Sequence, residues 1–124
     1  SVDLYKLIAI RAESESGKIP SASISISIDG KEFSAKADGG GPVDATFKAI
    51  ESIVESKAEL LLFSVNNITS GTDAQGEVTV RLSKGGRIVN GLGADTDIVI
   101  ASAKAYLNAL NKLFSKLERA HPQV

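Results

Sequence analysis

Alternating apolar and polar residues mark the first half of the chain as sheet-forming. The apolar run LYKLIAIRA predicts one strand, and ASISISI predicts a second with isoleucines on one face and serines on the other. Asp29-Gly30 predicts a tight hairpin into a third strand, KEFSAKA. Three residues of this strand are expected to face inward: Phe33, Ala35 and Ala37. Apolar residues at spacings of three and four then predict a helix over residues 42–54.

The second half of the chain predicts the same order of elements. ELLLFSVNNI, EVTVRLS and RIVNGLGA predict three more strands, with a turn at residues 84–86, and a helix follows over about residues 96–118. We expect Asp95 or Thr96 to cap this helix, with Asp97 in its first turn. Apolar residues cover most of its circumference, so it is expected to pack on the sheet and also on the sister helix or a second subunit.

The two halves superimpose without gaps when the sequence is shifted so that Gly30 falls on Gly86. Apolar residues then meet apolar ones and a basic residue meets a basic one; further examples are Leu4 on Leu60, Leu7 on Phe63, Lys31 on Arg87 and Ala45 on Ala101. The sequence therefore predicts an α+β fold in which two βββα repeats, about residues 3–57 and 58–120, form a single domain over 1–124.

Composition excludes several classes of function. The 124 residues contain no cysteine, which rules out disulfides and thiolate metal sites, and the net charge of −1 argues against nucleic-acid binding. No apolar run is long enough for a membrane span. Asp3, Lys6 and Arg11 interrupt the N-terminal apolar stretch, so no signal peptide is expected and the protein is predicted to be cytoplasmic. The single histidine, His121, lies beside Pro122 near the end of the sequence, and no catalytic set can be assembled around it.

The segment GGGPVD precedes the first predicted helix, and GADTDI occupies the equivalent place in the second repeat. Pro42 suits the first position of a helix, and the preceding glycines permit positive φ and close approach of a ligand. Free N–H groups and the helix dipole favour an anion there, and a carboxylate is a natural guest. The alternative is that the glycines only turn the chain. GLGADTD lacks the third glycine of a dinucleotide fingerprint, and no parallel strand follows it.

Two long motifs carry a family resemblance. NNITSGTDAQGEVTVRL and GLGADTDIVIASAKAYLNALN resemble the C-terminal regulatory domain of 2-isopropylmalate synthase, and GGGPVDATFKAI is similar to its glycine-proline segment. Citramalate synthase carries a related domain. The resemblance implies an enzyme that condenses acetyl-CoA with 2-oxoisovalerate on a metal-dependent (β/α)8 barrel, at the committed step of leucine biosynthesis. The barrel and its divalent metal are absent from this sequence, so this chain is expected to be non-catalytic and to need no cofactor.

The resemblance also implies a (βββα)×2 homodimer that binds the end-product amino acid near its interface. The positions that match the family's effector-binding segments are Gly41, Pro42, Val43, Asp44, Leu60, Phe63, Asn67, Ala94 and Asp95. The helix start would bind the carboxylate and Asp95 or loop carbonyls the ammonium, while Leu60, Phe63 and Ala94 enclose the aliphatic side chain. Asp44 and Phe63 depart from the small apolar residue and the tyrosine that some members carry at these positions.

Three functions remain open at this point. They are a leucine-sensing domain, an isoleucine-sensing domain of a citramalate synthase, and a dimerisation module without an effector. All three share an expected homodimer, because one side of the last helix and the strand faces should leave exposed apolar surface. The helix residues expected there are Leu107, Leu110 and Phe114.

Overall fold

The computed structural model describes residues 3–68, 71 and 74–114, and it has the predicted α+β architecture. The elements are β1 (Tyr5–Glu13), β2 (Ser21–Ile28), β3 (Lys31–Asp38), α1 (Pro42–Val54), β4 (Glu59–Ile68), β5 (Gly76–Lys84), β6 (Arg87–Asp95) and α2 (Ile98–Phe114). The two βββα units are thereby confirmed. Helix α2 begins two residues later than predicted, at Ile98. Residues 115–118 of the predicted helix and His121 lie outside the described residues.

Each repeat forms its own three-stranded antiparallel sheet, and the order of strands follows the chain in both. The first sheet contains β1, β2 and β3, and the second contains β4, β5 and β6. Two-residue turns join the second and third strands of each sheet, at Asp29-Gly30 and at Gly85-Gly86, and all four residues have positive φ. Positive φ at both turn positions matches the right-handed twist of the flanking strands, as the hairpin signals predicted.

The repeats align differently in their first strands from the gapless comparison. The alignment that places Gly30 on Gly86 holds for the other strands and the helix starts. Leu7 pairs with Ile26, however, and Leu60 pairs with Leu82, the equivalent of Ile26. Leu7 is therefore equivalent to Leu60, and each is followed by a β-bulge. The matches of Leu4 with Leu60 and of Leu7 with Phe63 were wrong. Apolar residues are closely spaced in both first strands, so they still meet apolar residues when one strand is shifted along the other.

The helices cover the inner faces of the sheets and enclose one core. Helix α1 packs on β2 and β3, and α2 packs on β5 and β6 while also contacting β1 and α1. The expectation that α2 has more than one packing partner is confirmed within the chain. The largest fully buried apolar side chains come from both sheets and both helices: Ile24, Ile26, Ile50, Val78, Val80, Leu82 and Leu110.

Two glycines of β6 determine how closely α2 approaches the second sheet. A Cβ atom at Gly91 would overlap the Ala105 carbonyl oxygen, and one at Gly93 would overlap that of Ala101. The G-x-G in GLGADTD therefore serves close packing of helix on sheet rather than phosphate binding. Because every turn of α2 in this region presents an alanine, backbone meets backbone with almost no side chain between.

One predicted core position is exposed. Phe33 shares the inner face of the first sheet with Ile26, but its side chain remains 44% accessible. It lies on an edge strand, near the hairpin and away from the end of β3 that leads into α1. Alternation gives the face of a strand residue correctly, but whether a helix covers that position depends on the tertiary structure.

Neither helix in the described part of the chain is long and apolar enough to cross a membrane.

Candidate functional site

The start of α1 lacks a side-chain cap. Gly41 is the N-cap residue in an extended conformation, with φ of −167°, and Pro42 is the first helical residue. The first intrahelical bond is donated by the Ala45 amide to the Gly41 carbonyl at 2.9 Å. The amides of Val43 and Asp44 find no acceptor among the described residues. Such amides, at the positive end of the helix dipole, attract an anionic group.

The glycines before Pro42 have a different role from the expected one. None of residues 39–41 adopts positive φ. A Cβ at Gly39 would lie 2.5 Å from the Ala45 nitrogen, so this glycine lets the chain approach the first turn of α1 itself. A Cβ at Gly41 would meet open space, which leaves room beside the helix start. The plain-turn alternative therefore accounts for Gly39 and leaves Gly41 unexplained.

Asp44 holds this segment in place. Its Oδ2 accepts a hydrogen bond from the Gly40 amide at 2.8 Å and pairs with the Lys48 ammonium at 3.0 Å. The Gly40 hydrogen bond, followed by Lys48, lowers the pKa of the Asp44 carboxyl below its usual value. Because this carboxylate is already bonded to the chain's own groups, we infer that it orders the helix start rather than binding a second cation.

The start of α2 is capped by Asp97, and the expected capping by Asp95 or Thr96 was wrong. Asp97 Oδ1 accepts hydrogen bonds from the Val99 amide at 2.7 Å and the Ile100 amide at 3.3 Å. The helix begins at Ile98, so only the preceding residue reaches the amides of the second and third helical positions. Asp97 was expected in the first turn of the helix, but it lies just before that turn, as the N-cap residue.

Asp95 makes other contacts. Its Oδ1 accepts from the Asp97 amide at 3.0 Å, and its Oδ2 pairs with the Lys104 ammonium at 3.0 Å. These two partners, the amide first, lower the pKa of the Asp95 carboxyl. An effector ammonium at Asp95 would therefore compete with Lys104, whereas Asp97 keeps Oδ2 without a donor in the described part of the chain.

Both helix starts border one cavity of about 250 Å³. Its lining is Ile10, Ala12, Ser14, Pro42, Asp97, Val99 and Ile100. Three aliphatic side chains, one carboxylate and the uncapped start of α1 thus surround a space that matches a small amphipathic ligand. Sequence reasoning missed all of these residues except Pro42 as site members. The repeat was the available signal, because it makes Pro42 and Ile98 equivalent as the first residues of the two helices. No local pattern predicted that β1 would close the cavity between the two helix starts.

The family-derived positions do not form one cavity within a chain. Leu60 and Phe63 lie on the inner face of the second sheet, paired with Leu82 and Val80. Ala94 pairs with Glu77 and therefore lies on the opposite, outer face. The Phe63 ring contacts the Phe47 ring of α1 edge-on, with 5.9 Å between centroids.

Asn67 and the helix-start positions complete that comparison. Asn67 also pairs with Glu77 through its backbone, but its side chain lies outside the described residues. Residues 41–44 lie together at the start of α1, and only Pro42 among them lines the cavity. The assignment of these positions to an effector stays a prediction.

Exposed apolar side chains lie on β4 and not on the expected side of α2. Leu107 and Leu110 are buried within the chain, and the Phe114 ring contacts the Tyr5 ring edge-on. The expectation that this side of α2 faces outward was wrong, because β1 of the first repeat covers it.

On β4, the inner-face residues Leu60, Phe63 and Val65 are 38–44% exposed. Apart from the contact between the Phe63 and Phe47 rings, no helix in the described part of the chain packs along this strand, whereas the inner-face residues of the neighbouring β5 are buried. An apolar strip beside a closed core is typical of a surface that another chain covers.

Comparison with known proteins gives a consistent family. A family model described as the LeuA allosteric (dimerisation) domain matches residues 1–114. The chain is 71% identical over 120 residues to a 2-isopropylmalate synthase of Nitrosospira multiformis, covering 97% of this chain and 24% of that protein. It is 68% identical over 120 residues to the 2-isopropylmalate synthase of Nitrosomonas europaea and 69% identical over 121 residues to that of Dechloromonas aromatica. The latter two alignments cover 97% and 98% of this chain and 24% of each relative. The chain thus spans about a quarter of the length of these relatives.

Proposed function

The chain belongs to the LeuA allosteric (dimerisation) domain family, and on that premise we propose that it is the leucine-sensing regulatory domain of a 2-isopropylmalate synthase. In this proposal the remainder of the polypeptide condenses acetyl-CoA with 2-oxoisovalerate at a divalent metal. L-leucine, the end product, binds this domain and inhibits that reaction. The observation that carries the proposal is the cavity in which the two helix starts and β1 meet.

The cavity offers a partner for each part of an aliphatic amino acid. The amides at the uncapped start of α1 bind the carboxylate, as helix N-termini bind anions. Asp97 uses Oδ1 for the cap, so Oδ2 is available to the ammonium. Ile10, Val99 and Ile100 supply the apolar wall for the branched side chain.

A homodimer accounts for the remaining family-derived positions. Leu60, Phe63 and Val65 form an uncovered apolar strip on β4, and a second copy is the partner that the family description suggests. In that arrangement the β4 strip and the Asn67 and Ala94 end of the second sheet lie at or beside the interface. They contribute to an effector site that two chains build together.

Two alternatives share the fold. An isoleucine sensor of a citramalate synthase differs only in the branch position of the ligand, which a pocket separates by about 1–3 kcal/mol. The names of the relatives above, all 2-isopropylmalate synthases, favour leucine. A pure dimerisation module would bind neither amino acid, and the uncovered β4 strip is equally compatible with it.

Isothermal titration calorimetry with leucine and with isoleucine separates these functions. We expect leucine to bind more tightly than isoleucine. The reverse order would favour the isoleucine sensor, and absence of heat with both would leave only the dimerisation module.

The Asp97→Asn variant tests the site itself. Asparagine caps a helix about as well as aspartate, so the fold is preserved while the ammonium loses its charged partner. A charge-assisted hydrogen bond contributes about 1.5–3 kcal/mol, so leucine affinity should fall by about 10- to 150-fold. Glu32→Gln removes a carboxylate from the opposite side of the first sheet and is the matched control. Equal affinities for the two variants would remove Asp97 from the site.

A further inference from the structure

The two sheets have equivalent strands but different outer faces. The outer face of β3 carries three charged residues and a serine: Glu32, Ser34, Lys36 and Asp38. The equivalent positions of β6 carry mainly apolar residues: Ile88, Asn90, Leu92 and Ala94. The first repeat is an internal control, because the same βββα fold forms there with charges at these positions. The fold therefore does not require apolar residues on the outer face of β6.

These apolar side chains are unusually open to solvent. Ile88 is 63% exposed and Leu92 is 55% exposed. Between them lies a polar bridge in which Arg81 Nε donates to Asn90 Oδ1 at 2.8 Å. Leu62 of β4 pairs with Arg81 and lies on the same outer face, separated from the β6 side chains by β5. The exposed apolar surface of this face therefore follows β6, because the β5 residues beside it are polar or charged: Glu77, Thr79, Arg81 and Ser83.

This surface is distinct from the β4 strip and is not suited to strand addition. The strip of Leu60, Phe63 and Val65 lies on the inner face of the same sheet. The free edge of β6 is occupied by α2, because Asn108 Oδ1 accepts from the Leu92 amide at 2.9 Å. A partner on the β6 side therefore contacts the sheet by its face, with side chains rather than backbone.

We propose that the outer face of the second sheet, centred on Ile88 and Leu92, docks the catalytic part of the synthase polypeptide. The proposal rests on the proposed function above. About three quarters of the length of the relatives lies outside the matched region, and a regulatory domain must contact the part that it regulates. The serine-rich outer face of the first sheet offers no equivalent apolar surface.

Strand β6 connects this surface to the effector cavity. The strand ends at Asp95, whose carboxylate bonds the amide of Asp97, and Asp97 lines the cavity. A ligand that binds Asp97 therefore contacts a residue that is hydrogen-bonded to the end of the strand that carries Leu92. Strand β6 thus links occupancy of the cavity to docking of the outer face.

The test compares the full-length synthase with the 124-residue chain by hydroxyl-radical footprinting without leucine. We expect Ile88 and Leu92 to be protected in the full-length enzyme and reactive in the separate chain, while exposed Ile19 reacts equally in both. Equal reactivity in the two proteins overturns the proposal. Protection already in the separate chain, growing with its concentration, also overturns it and assigns the face to a second copy. Neither result depends on leucine binding, so failure here is separate from failure of the proposed function.

Transferring two charged residues from the first repeat tests whether this docking surface carries the inhibition. The double variant Ile88→Glu with Leu92→Lys places on β6 the residue types found at the equivalent positions of β3, Glu32 and Lys36. In the full-length enzyme the leucine concentration for half inhibition should rise by at least about fivefold, the lower end of typical allosteric coupling. Uninhibited activity and the leucine affinity of the 124-residue chain should stay unchanged. An unchanged inhibition curve contradicts the proposal, and Glu32→Gln with Lys36→Gln on the first sheet is the control.

Discussion

The side-chain amide of Asn111 bonds both backbone groups of Tyr5, which lies 106 residues earlier in the chain. Asn111 Oδ1 accepts from the Tyr5 amide at 2.7 Å, and its Nδ2 donates to the Tyr5 carbonyl at 2.9 Å. A residue of α2 thus takes the place of a neighbouring strand along the edge of β1. Because both groups are buried, the contact ties the second repeat to the first with directional bonds as well as apolar packing.

Asn111→Ala should destabilise the chain by about 2–4 kcal/mol, because a buried N–H and a buried C=O each lose a partner. Urea unfolding followed by circular dichroism measures the change. Asn108→Ala is the matched control on the same helix, since it removes one exposed bond to the Leu92 amide and should cost less than about 1.5 kcal/mol. Equal losses would mean that the Tyr5 contact adds nothing beyond an ordinary surface bond.

Gly91→Ala should destabilise the fold by about 3 kcal/mol or more, because the new methyl group overlaps the Ala105 carbonyl oxygen and lies 2.5 Å from the Ala109 amide. Helix α2 would have to move off the second sheet. Gly41→Ala is the control, since its Cβ meets open space and its backbone is extended, and it should change the unfolding free energy by less than about 1 kcal/mol. Similar unfolding midpoints for the two variants would show that α2 yields without cost.

Gly91 and Gly93 show which features of the fold the sequence alone does not predict. Apolar runs, alternation and the turn signals at residues 29–30 and 84–86 predicted all six strands, and Pro42 placed the start of α1 correctly, because those signals are local. The sequence GLG gave no sign that a helix would approach it, since that approach depends on alanines of α2 that are distant in the sequence. The register of β1 failed for a related reason: its apolar residues fit two alignments, and only pairing with β2 distinguishes them.

The candidate site was less predictable than the fold. The start of α1 was expected from Pro42 and the glycines, but the cavity needs Ile10 of β1 and Asp97 before α2, which are brought together only by tertiary packing. The exchange of capping roles between Asp95 and Asp97 followed from the error in the predicted helix start. Both carboxylates stand within reach of amides, and only the actual helix start determines which one caps.

Acid should weaken the fold through Asp44. Its pKa is lowered from the usual 3.8 by the Gly40 amide and Lys48, so the unfolded chain binds the proton more readily. The stabilisation is present above the unfolded pKa of about 3.8 and is lost as pH falls through the lower folded pKa. The group is exposed, so its share is under about 1 kcal/mol.

Urea unfolding at a series of pH values, from pH 6 down to values below the folded pKa of Asp44, measures how the stability depends on pH. Asp44→Asn should be less stable than wild type at pH 6 and should lose less stability on acidification. Asp95 has a lowered pKa of the same sign, so part of the acid sensitivity should persist in the variant. An Asp44→Asn curve parallel to that of wild type would show that this carboxylate does not contribute to the acid dependence.

The β4 strip makes the sharpest prediction about assembly. Val65→Lys places an ammonium at one end of the apolar strip, where a second copy would have to bury it without a partner. The dimer dissociation constant should rise by about 100-fold or more, which corresponds to about 2.7 kcal/mol. Light scattering across micromolar concentrations should therefore find wild type dimeric and Val65→Lys monomeric, with an unchanged circular dichroism spectrum.

Ile88→Lys is the control for that experiment, because it adds the same charge to the opposite face of the same sheet at a more exposed position. It should remain dimeric. If Val65→Lys stays dimeric while Ile88→Lys dissociates, the second copy occupies the outer face, and both the β4 interface and the docking of the catalytic part there are wrong. If the β4 interface is right, the Val65→Lys monomer should also bind leucine more weakly than wild type, because an effector site built by two chains loses the contacts of the second chain when they separate.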